Sequence, residues 1–226
     1  MRKIFLATVS LALFVMVTSC KKDNYDPPQS QLTGRIVFQG QPVGVRSNGI
    51  QLELWQPGFQ LYTKIPVYIA QDGTFSAMLF DGDYKLTRLK GNGPWADNTD
   101  TIQVQVRGAT SVDVPVDAYF IVKGETIQKN GSNITTTFSL QRGNTSKNLE
   151  DVRLYLGRTN IIDPNNNDAV VTKAASAITD ITQPISLSVA IPASLADKDY
   201  VFARVGVKTA GVAELAFSIP QKIALK

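Results

Sequence analysis

The fold is decided by a short stretch at residues 50–55, with the sequence IQLELW, and by a similar one at residues 102–107, IQVQVR. In both stretches an aliphatic side chain occupies every second position. Because successive side chains of a strand point to opposite sides, such a strand has one apolar face and one face that suits water. The alternation therefore predicts antiparallel sheets that cover a core with one face.

Short alternating runs continue from Gln31 to the end of the chain, separated by glycine, proline, asparagine and aspartate. In the first half the predicted strands are residues 32–38, 50–55, 61–69, 74–79, 84–89, 102–106 and 112–116. In the second half the runs lie at residues 134–140, 152–156, 185–191 and 201–207. We predict an all-β protein with two consecutive β-sandwich domains, residues 31–117 and residues 118–226. The segment at residues 172–181 is expected to be a short helix or an irregular crossover.

The beginning of the chain has the order of a secretory signal. Arg2 and Lys3 precede an apolar run at residues 4–17, which is shorter than the roughly 20 residues of a membrane-spanning helix. Small polar residues then lead into Cys20. This arrangement resembles a bacterial lipobox, in which the cysteine is lipidated and becomes the first residue of the mature protein. We therefore predict residues 1–19 as a lipoprotein signal peptide and Cys20 as the lipidation site.

Residues 20–30 are expected to be a polar, proline-containing tether behind the lipid. The segment at residues 21–26, KKDNYD, also resembles the surface-export signal of Bacteroidetes-type lipoproteins. The resemblance implies a lipid-anchored protein of the outer membrane that faces the cell surface.

The composition argues against most catalytic chemistry. The 226 residues contain no histidine and one cysteine. Histidine is the usual general base and a common metal ligand, and a single cysteine excludes an internal disulfide, a multi-cysteine zinc site and a CxxC redox pair. We expect a protein that is not an enzyme and uses no cofactor. A glycoside hydrolase would need two carboxylates at a suitable distance, and the sequence places no such pair.

The charge balance argues against nucleic acid as a partner. Removal of residues 1–19 takes Arg2 and Lys3 from the 23 basic residues, which leaves 21 against 19 acidic ones and a net charge of +2. The basic side chains form no stripe that could follow a phosphate backbone.

Several short motifs carry a family resemblance: LTGRI at residues 32–36, GQPV at 40–43, DGTF at 72–75 and FDGDYKL at 80–86. They resemble the carboxypeptidase regulatory-like, prealbumin-type β-sandwich. With the lipobox and FARVGVK at residues 202–208, the whole chain resembles a two-domain lipoprotein family of Bacteroidetes, a domain of unknown function. The resemblance implies immunoglobulin-like or prealbumin-like sandwiches after a lipoprotein signal and a short tether.

Members of that family are typically encoded beside SusC/SusD-type glycan-uptake systems. The resemblance therefore implies a non-catalytic accessory or glycan-binding lipoprotein, with SusC/SusD-type proteins and a polysaccharide or oligosaccharide as partners. The alternative is a protein-interaction module of an outer-membrane complex that binds no sugar. The matching motifs are structural glycines and turns, so no catalytic residue is implied.

Two places suit a saccharide, which needs a flat apolar surface beside amides and carboxylates. The loop at residues 91–100, GNGPWADNTD, offers Trp95 with Asn92, Asp97 and Asn98. In the alternative, Trp95 folds back and closes the end of the sandwich.

Trp55 is the second candidate. Its parity places it opposite Leu52 and Leu54 and away from the first core. Tyr62 and Tyr68 share a face by the same parity. An exposed aromatic patch, a domain interface or a partner contact would each explain these residues.

The segment at residues 163–168, DPNNND, begins like a calcium loop, but Asp168 stands where the glycine belongs and Ala174 where the glutamate belongs. We therefore assign no metal site.

Overall fold

The computed structural model describes residues 26–58 and 61–226. The predicted signal peptide and the lipidation site Cys20 lie outside the described residues. The first half of the chain contains the strands β1 (Ser30–Phe38), β2 (Gln41–Pro42), β3 (Gln51–Trp55), β4 (Lys64–Tyr68), β5 (Thr74–Leu79), β6 (Gly82–Arg88), β7 (Ile102–Val106) and β8 (Ala109–Pro115). The second half contains β9 (Phe120–Asn130), β10 (Asn133–Arg142), β11 (Leu149–Gly157), β12 (Ala169–Ala174), β13 (Ile185–Ala190), β14 (Tyr200–Thr209), β15 (Ala216–Phe217) and β16 (Gln221–Ala224).

Helical structure is minor. The helix α1 spans Ala193–Ala196, and a 3-10 turn spans Ala175–Ala177. Within the part of the chain that the structure describes, no helix is long and apolar enough to cross a membrane. The segment at residues 172–181 contains the end of β12 and the 3-10 turn, and it is otherwise irregular, so it is the irregular crossover of the two predicted alternatives.

The first domain consists of two sheets. In sheet I, β1 pairs antiparallel with β2 and β5 and parallel with β8. Sheet II has the antiparallel order β4-β3-β6-β7. Each predicted strand of the first half is present, and the structure adds the two-residue strand β2. Leu52 and Leu54 are buried, whereas Gln51, Glu53 and Trp55 are only half-buried, so the alternation places the core where the sequence predicts it.

The second domain also consists of two sheets. Sheet III has the order β13-β10-β9, and sheet IV has β12-β11-β14, with β15 and β16 both paired to β14. The sequence did not predict β9 or β12. Few side chains of β9 are buried, and no side chain of β12 is buried. Strands that bury so little need no apolar residue at every second position, so the alternation that marks a half-buried strand is missing from their sequences. The prediction of an all-β fold with two β-sandwiches is confirmed.

Two separate cores hold these sandwiches together. The first is built around Leu32, Ile50, Leu54 and Tyr84, and the second around Phe138, Leu154, Val201 and Val205. A smaller cluster of Tyr155, Ile162, Leu215 and Phe217 covers the outer face of sheet IV. This third cluster lies where the first domain meets the second.

The domain junction is made by the outer face of β14. Arg204 is 0% exposed, and its guanidinium donates to Ile162 O and Ser218 O of its own domain, each at 3.1 Å. It also donates to Val45 O of the first domain at 3.2 Å. Burial lowers the pKa of Arg204 to about 9, so the side chain stays protonated at neutral pH. A buried charge therefore joins backbone carbonyls of both domains.

Backbone and ion-pair contacts extend this junction. The Phe217 N–H donates to Gly44 O at 2.9 Å. A Cβ on Gly44 would lie 2.3 Å from Phe217 O, so only glycine permits this approach. Arg46 forms an ion pair with Glu214 at 2.7 Å. The contacts are specific to these backbone positions and fix the two domains against each other.

Candidate functional site

Trp95 is part of the first core and not a surface for a ligand. The residue is 5% exposed, and it forms an isolated β-bridge with Ala118. A Cβ on Gly93 would lie 2.2 Å from the indole, so the preceding glycine makes room for the ring. The expectation that Trp95 stacks on a sugar is therefore wrong, because the indole closes the end of the first sandwich beside the second domain.

The polar residues of the same loop mostly stabilise the loop itself. The Asn92 side-chain oxygen accepts from Gln51 N at 2.9 Å, and its amide donates to Gly49 O at 3.3 Å. The Asp97 carboxylate accepts from Gly91 N at 2.6 Å. These bonds hold the loop against β3. Asn92 and Asp97 therefore stabilise the loop, although the Asp97 side chain remains exposed.

Asn98 lines a surface depression of about 440 Å³ near the domain boundary. Its side-chain oxygen accepts from Asp100 N at 2.6 Å. Arg88 reaches into this region, where it donates to Pro115 O at 2.6 Å and to Asp100 O at 3.1 Å. Burial lowers the pKa of Arg88. The aromatic ring of the lining, Phe38, is 8% exposed, so the depression lacks an open stacking surface.

Trp55 lies on the outer side of sheet II, as its parity predicts. Its ring is 5.2 Å from the ring of Tyr62, with an angle of 40° between the planes. Tyr62 is 50% exposed, and Tyr68, at the end of β4, is 54% exposed. We call these three residues the aromatic patch. The structure thus brings Trp55 and Tyr62 together, whereas Tyr68 lies on the same face at the other end of β4, opposite Gln51.

Polar side chains surround the aromatic patch in a defined register. Trp55 lies directly opposite Lys64 on β4 and Lys85 on β6. Glu53, two positions along the same face, accepts from the Lys64 ammonium at 2.6 Å. The patch therefore combines aromatic rings with a balanced ion pair and a further cation, and all these side chains stand on one side of the sheet.

The aromatic patch is not part of the domain junction. The junction is formed by residues such as Gly44, Arg46 and Arg204, and no hydrogen bond or ion pair between the domains of the described chain involves the patch. Tyr62 and Tyr68 also remain half-exposed with both domains in place, so the second domain does not cover the patch and the domain interface, one of the explanations for an outward Trp55, is wrong. An exposed patch and a partner contact both remain.

The calcium-like segment closes on itself. Asp163 is buried, and its carboxylate accepts from Asn165 N at 2.8 Å and Asn166 N at 3.0 Å. Asn167 donates back to Asp163 O at 3.1 Å. Across residues 26–58 and 61–226, no group of three or more histidine, cysteine, aspartate or glutamate side chains is arranged to hold a metal ion.

Two family models match the chain, one for each sandwich. Residues 30–117 match the N-terminal domain of the protein of unknown function DUF3823, and residues 120–222 match the domain of unknown function DUF3823_C. The crystal structure of a DUF3823 family protein from Bacteroides ovatus ATCC 8483 is 40% identical, covers 87% of this chain and 100% of that one, and has a TM-score of 0.82. This chain belongs to the DUF3823 family. The predicted membership in a two-domain family of unknown function is thereby confirmed.

Other solved structures support the DUF3823 fold. A DUF3823 family protein from Parabacteroides merdae ATCC 43184 is 33% identical over 88% of this chain and 100% of that one, with a TM-score of 0.80. A "putative carbohydrate binding protein" from Bacteroides uniformis ATCC 8492 is 22% identical over 88% of this chain and 100% of that one, with a TM-score of 0.71. At that identity the similarity concerns the fold alone. No curated protein matches the chain.

Proposed function

We propose that this DUF3823 protein is a non-catalytic glycan-binding lipoprotein and that the aromatic patch of Trp55, Tyr62 and Tyr68 is its binding surface. The observation that carries the proposal is the Trp55–Tyr62 pair, with ring centroids 5.2 Å apart on the outer side of sheet II. Neither ring belongs to the first core, which lies on the other face of β3. Its position outside the core favours a role in binding.

The chemistry around the patch suits a sugar. Pyranose rings have flat CH surfaces that pack on aromatic faces, while their hydroxyls need donors and acceptors at the rim. The Lys64 and Lys85 ammonium groups supply donors, and Glu53 and Gln51 supply acceptors on the same face. A rigid strand presents Trp55, so little freedom is lost when a ligand stacks on it.

The relatives support this reading at the level of the fold. One protein with the same two-domain architecture is a "putative carbohydrate binding protein" from Bacteroides uniformis. The relatives from Bacteroides ovatus and Parabacteroides merdae are DUF3823 family proteins, and that family is one of unknown function. The proposal for this chain therefore rests on the aromatic patch, and the relative only agrees with it.

A second candidate function is a protein-interaction module that binds no sugar. Leu61 favours it, because this aliphatic side chain is 78% exposed beside Tyr62. An exposed leucine contributes to protein contacts through apolar burial and gives little to a hydrated glycan. The two functions differ in whether the patch binds carbohydrate saturably.

The test is retardation of the purified protein in native gels that contain plant, host or microbial polysaccharides. We expect retardation by one neutral polysaccharide and its loss in Trp55→Ala and Tyr62→Ala. Tyr200→Ala is the matched control, because Tyr200 is an aromatic residue of the second domain that is 40% exposed. Thermal unfolding of each variant shows whether it is folded. Retardation by no polysaccharide, or equal retardation of all folded variants, would reject glycan binding at the patch and favour the protein-interaction module.

We further propose that the protein is anchored in the outer membrane through lipid on Cys20, faces the cell surface and assists a SusC/SusD-type uptake complex. The motif around Cys20 and the family resemblance support this, because both point to a surface lipoprotein. Incorporation of labelled palmitate by the full chain, and its absence in Cys20→Ser, would support the anchor. Co-purification with SusC/SusD-type proteins from membranes tests the partner, and equal yields from the full chain and Cys20→Ser would argue against an anchored complex.

The proposal of a non-catalytic, cofactor-free protein rests on the composition. The chain contains no histidine, so it lacks the residue that most often acts as a general base. Release of reducing sugar from a polysaccharide that the protein retains would overturn it.

A further inference from the structure

A groove of about 480 Å³ lies on the outer face of sheet I, close to the aromatic patch. The strand register defines its floor. Thr33 of β1 lies opposite Ser76 of β5 on one side and opposite Ser111 of β8 on the other. Three hydroxyl side chains thus form a row across neighbouring strands, which are about 4.8 Å apart. Ser76 and Ser111 are exposed, and Thr33 is half-buried with its hydroxyl donating to Thr110 O at 3.4 Å.

The next row of the same face contains a charge-balanced pair. Arg35 of β1 lies opposite Asp113 of β8. Its guanidinium donates to both carboxylate oxygens, at 3.1 Å from Nε and 2.6 Å from Nη2. The Arg35 guanidinium lowers the pKa of Asp113, which keeps the carboxylate ionised and the pair intact. The groove therefore offers many hydrogen-bonding groups and no net charge, which suits a neutral polyhydroxyl ligand better than an acidic one.

Tyr68 connects this groove with the aromatic patch. It lines the groove, and it also lies on the outer face of sheet II, opposite Gln51. The Trp55–Tyr62 pair lies beside Lys64, at the other end of β4, four residues and about 13 Å along the strand. Tyr68 therefore borders both surfaces, at the edge where Ile69 forms a bridge with Phe75 of β5.

We propose that one binding surface extends from the Trp55–Tyr62 pair over Tyr68 into the groove of Thr33, Ser76 and Ser111, and that its ligand is a neutral oligosaccharide of several linked sugar units. The inference rests on the proposed function and deepens it. A single sugar covers one aromatic ring, whereas this surface has stacking residues at both ends of a strand and a hydroxyl row beyond them. Only a chain of sugars reaches all three parts.

The test is calorimetric titration of the protein with cello-, xylo-, manno- and malto-oligosaccharides, from disaccharides to hexasaccharides. We expect affinity to rise with length. Tyr68→Ala and Ser111→Leu should weaken hexasaccharide binding roughly tenfold, or about 1.4 kcal/mol, because one loses a stacking face and the other fills the groove. Ser111→Leu, which lies outside the aromatic patch, should leave disaccharide binding unchanged. Ser186→Leu is the matched control, an exposed strand serine of the second domain.

The outcomes separate this inference from the proposed function. If Trp55→Ala abolishes binding while folded Tyr68→Ala and Ser111→Leu bind hexasaccharides as the unaltered protein does, the extended surface is wrong and the Trp55–Tyr62 pair alone binds. If acidic oligosaccharides bind more tightly than neutral ones, the neutral ligand is wrong. If the unaltered protein binds no saccharide, the proposed function and this inference fail together.

Discussion

Replacement of Arg204 by methionine should lower the free energy of unfolding by about 3 kcal/mol. This value is the low end of the cost expected when three buried carbonyl oxygens lose their hydrogen-bond donor. The guanidinium donates to Ile162 O, Ser218 O and Val45 O at 3.1 to 3.2 Å. Methionine fills a similar volume without a donor, so these acceptors lose their partner in a buried site. The guanidinium carbon also lies 4.1 Å from the centre of the Phe217 ring, and this cation–π contact is lost too.

The estimate balances opposing contributions. Each orphaned carbonyl costs about 1 kcal/mol or more, and the cation–π contact adds roughly another. Removal of a fully buried charge returns part of this, because Arg204 no longer has to be desolvated on folding. For a chain of 226 residues, a net loss of about 3 kcal/mol corresponds to a fall in Tm of roughly 6–12 °C.

Urea unfolding followed by circular dichroism, together with calorimetry, measures the effect. Arg158→Met is the matched control, because Arg158 is an exposed arginine paired with Asp168 in the second domain. That variant should lose much less stability than Arg204→Met, because ion pairs of exposed side chains contribute little. If Arg204→Met loses no more stability than Arg158→Met, Arg204 does not hold the junction together and the reasoning is refuted.

Two further predictions concern the surface. Because Arg35 lowers the pKa of Asp113 below its ordinary 3.8, the stability from this pair is present above that value and is lost as the pH falls through the folded pKa. Acid denaturation of Asp113→Asn should therefore be less steep than that of the unaltered protein, and an identical acid profile would contradict it. Acrylamide should quench Trp55 more than the buried Trp95, so Trp55→Phe should remove most of the quenchable fluorescence and Trp95→Phe should not.

The strands of the first domain were predictable because side-chain direction in a strand is a local property. The alternation at residues 50–55 decides by itself that Leu52 and Leu54 face the core and that Trp55 faces away. The same locality limits the prediction in the second domain. β12 has no buried side chain, and only its pairing with β11 makes it a strand.

The direction of the Trp95 side chain could not be predicted, because the alternation of side chains along a strand does not extend into a loop. Whether its indole faces a ligand or the core depends on Gly93, Ala118 and the start of the second domain, which approach it only after folding. Arg204 is similar. Nothing in the sequence indicates that the outer face of β14 is covered, so an arginine on that face is predicted to be exposed to solvent. It becomes buried only because the first domain packs against β14.

The candidate binding surface divides in the same way. The sequence determined by itself that Trp55 points away from the core and that Tyr68 shares a face with Lys64, since side chains alternate between the two faces along one strand. Only the tertiary structure decided that Thr33, Ser76 and Ser111 form one row, because strands far apart in the chain must pair in one register to align them. Strand direction is encoded locally, whereas strand pairing and domain contact depend on which distant residues bury each other best.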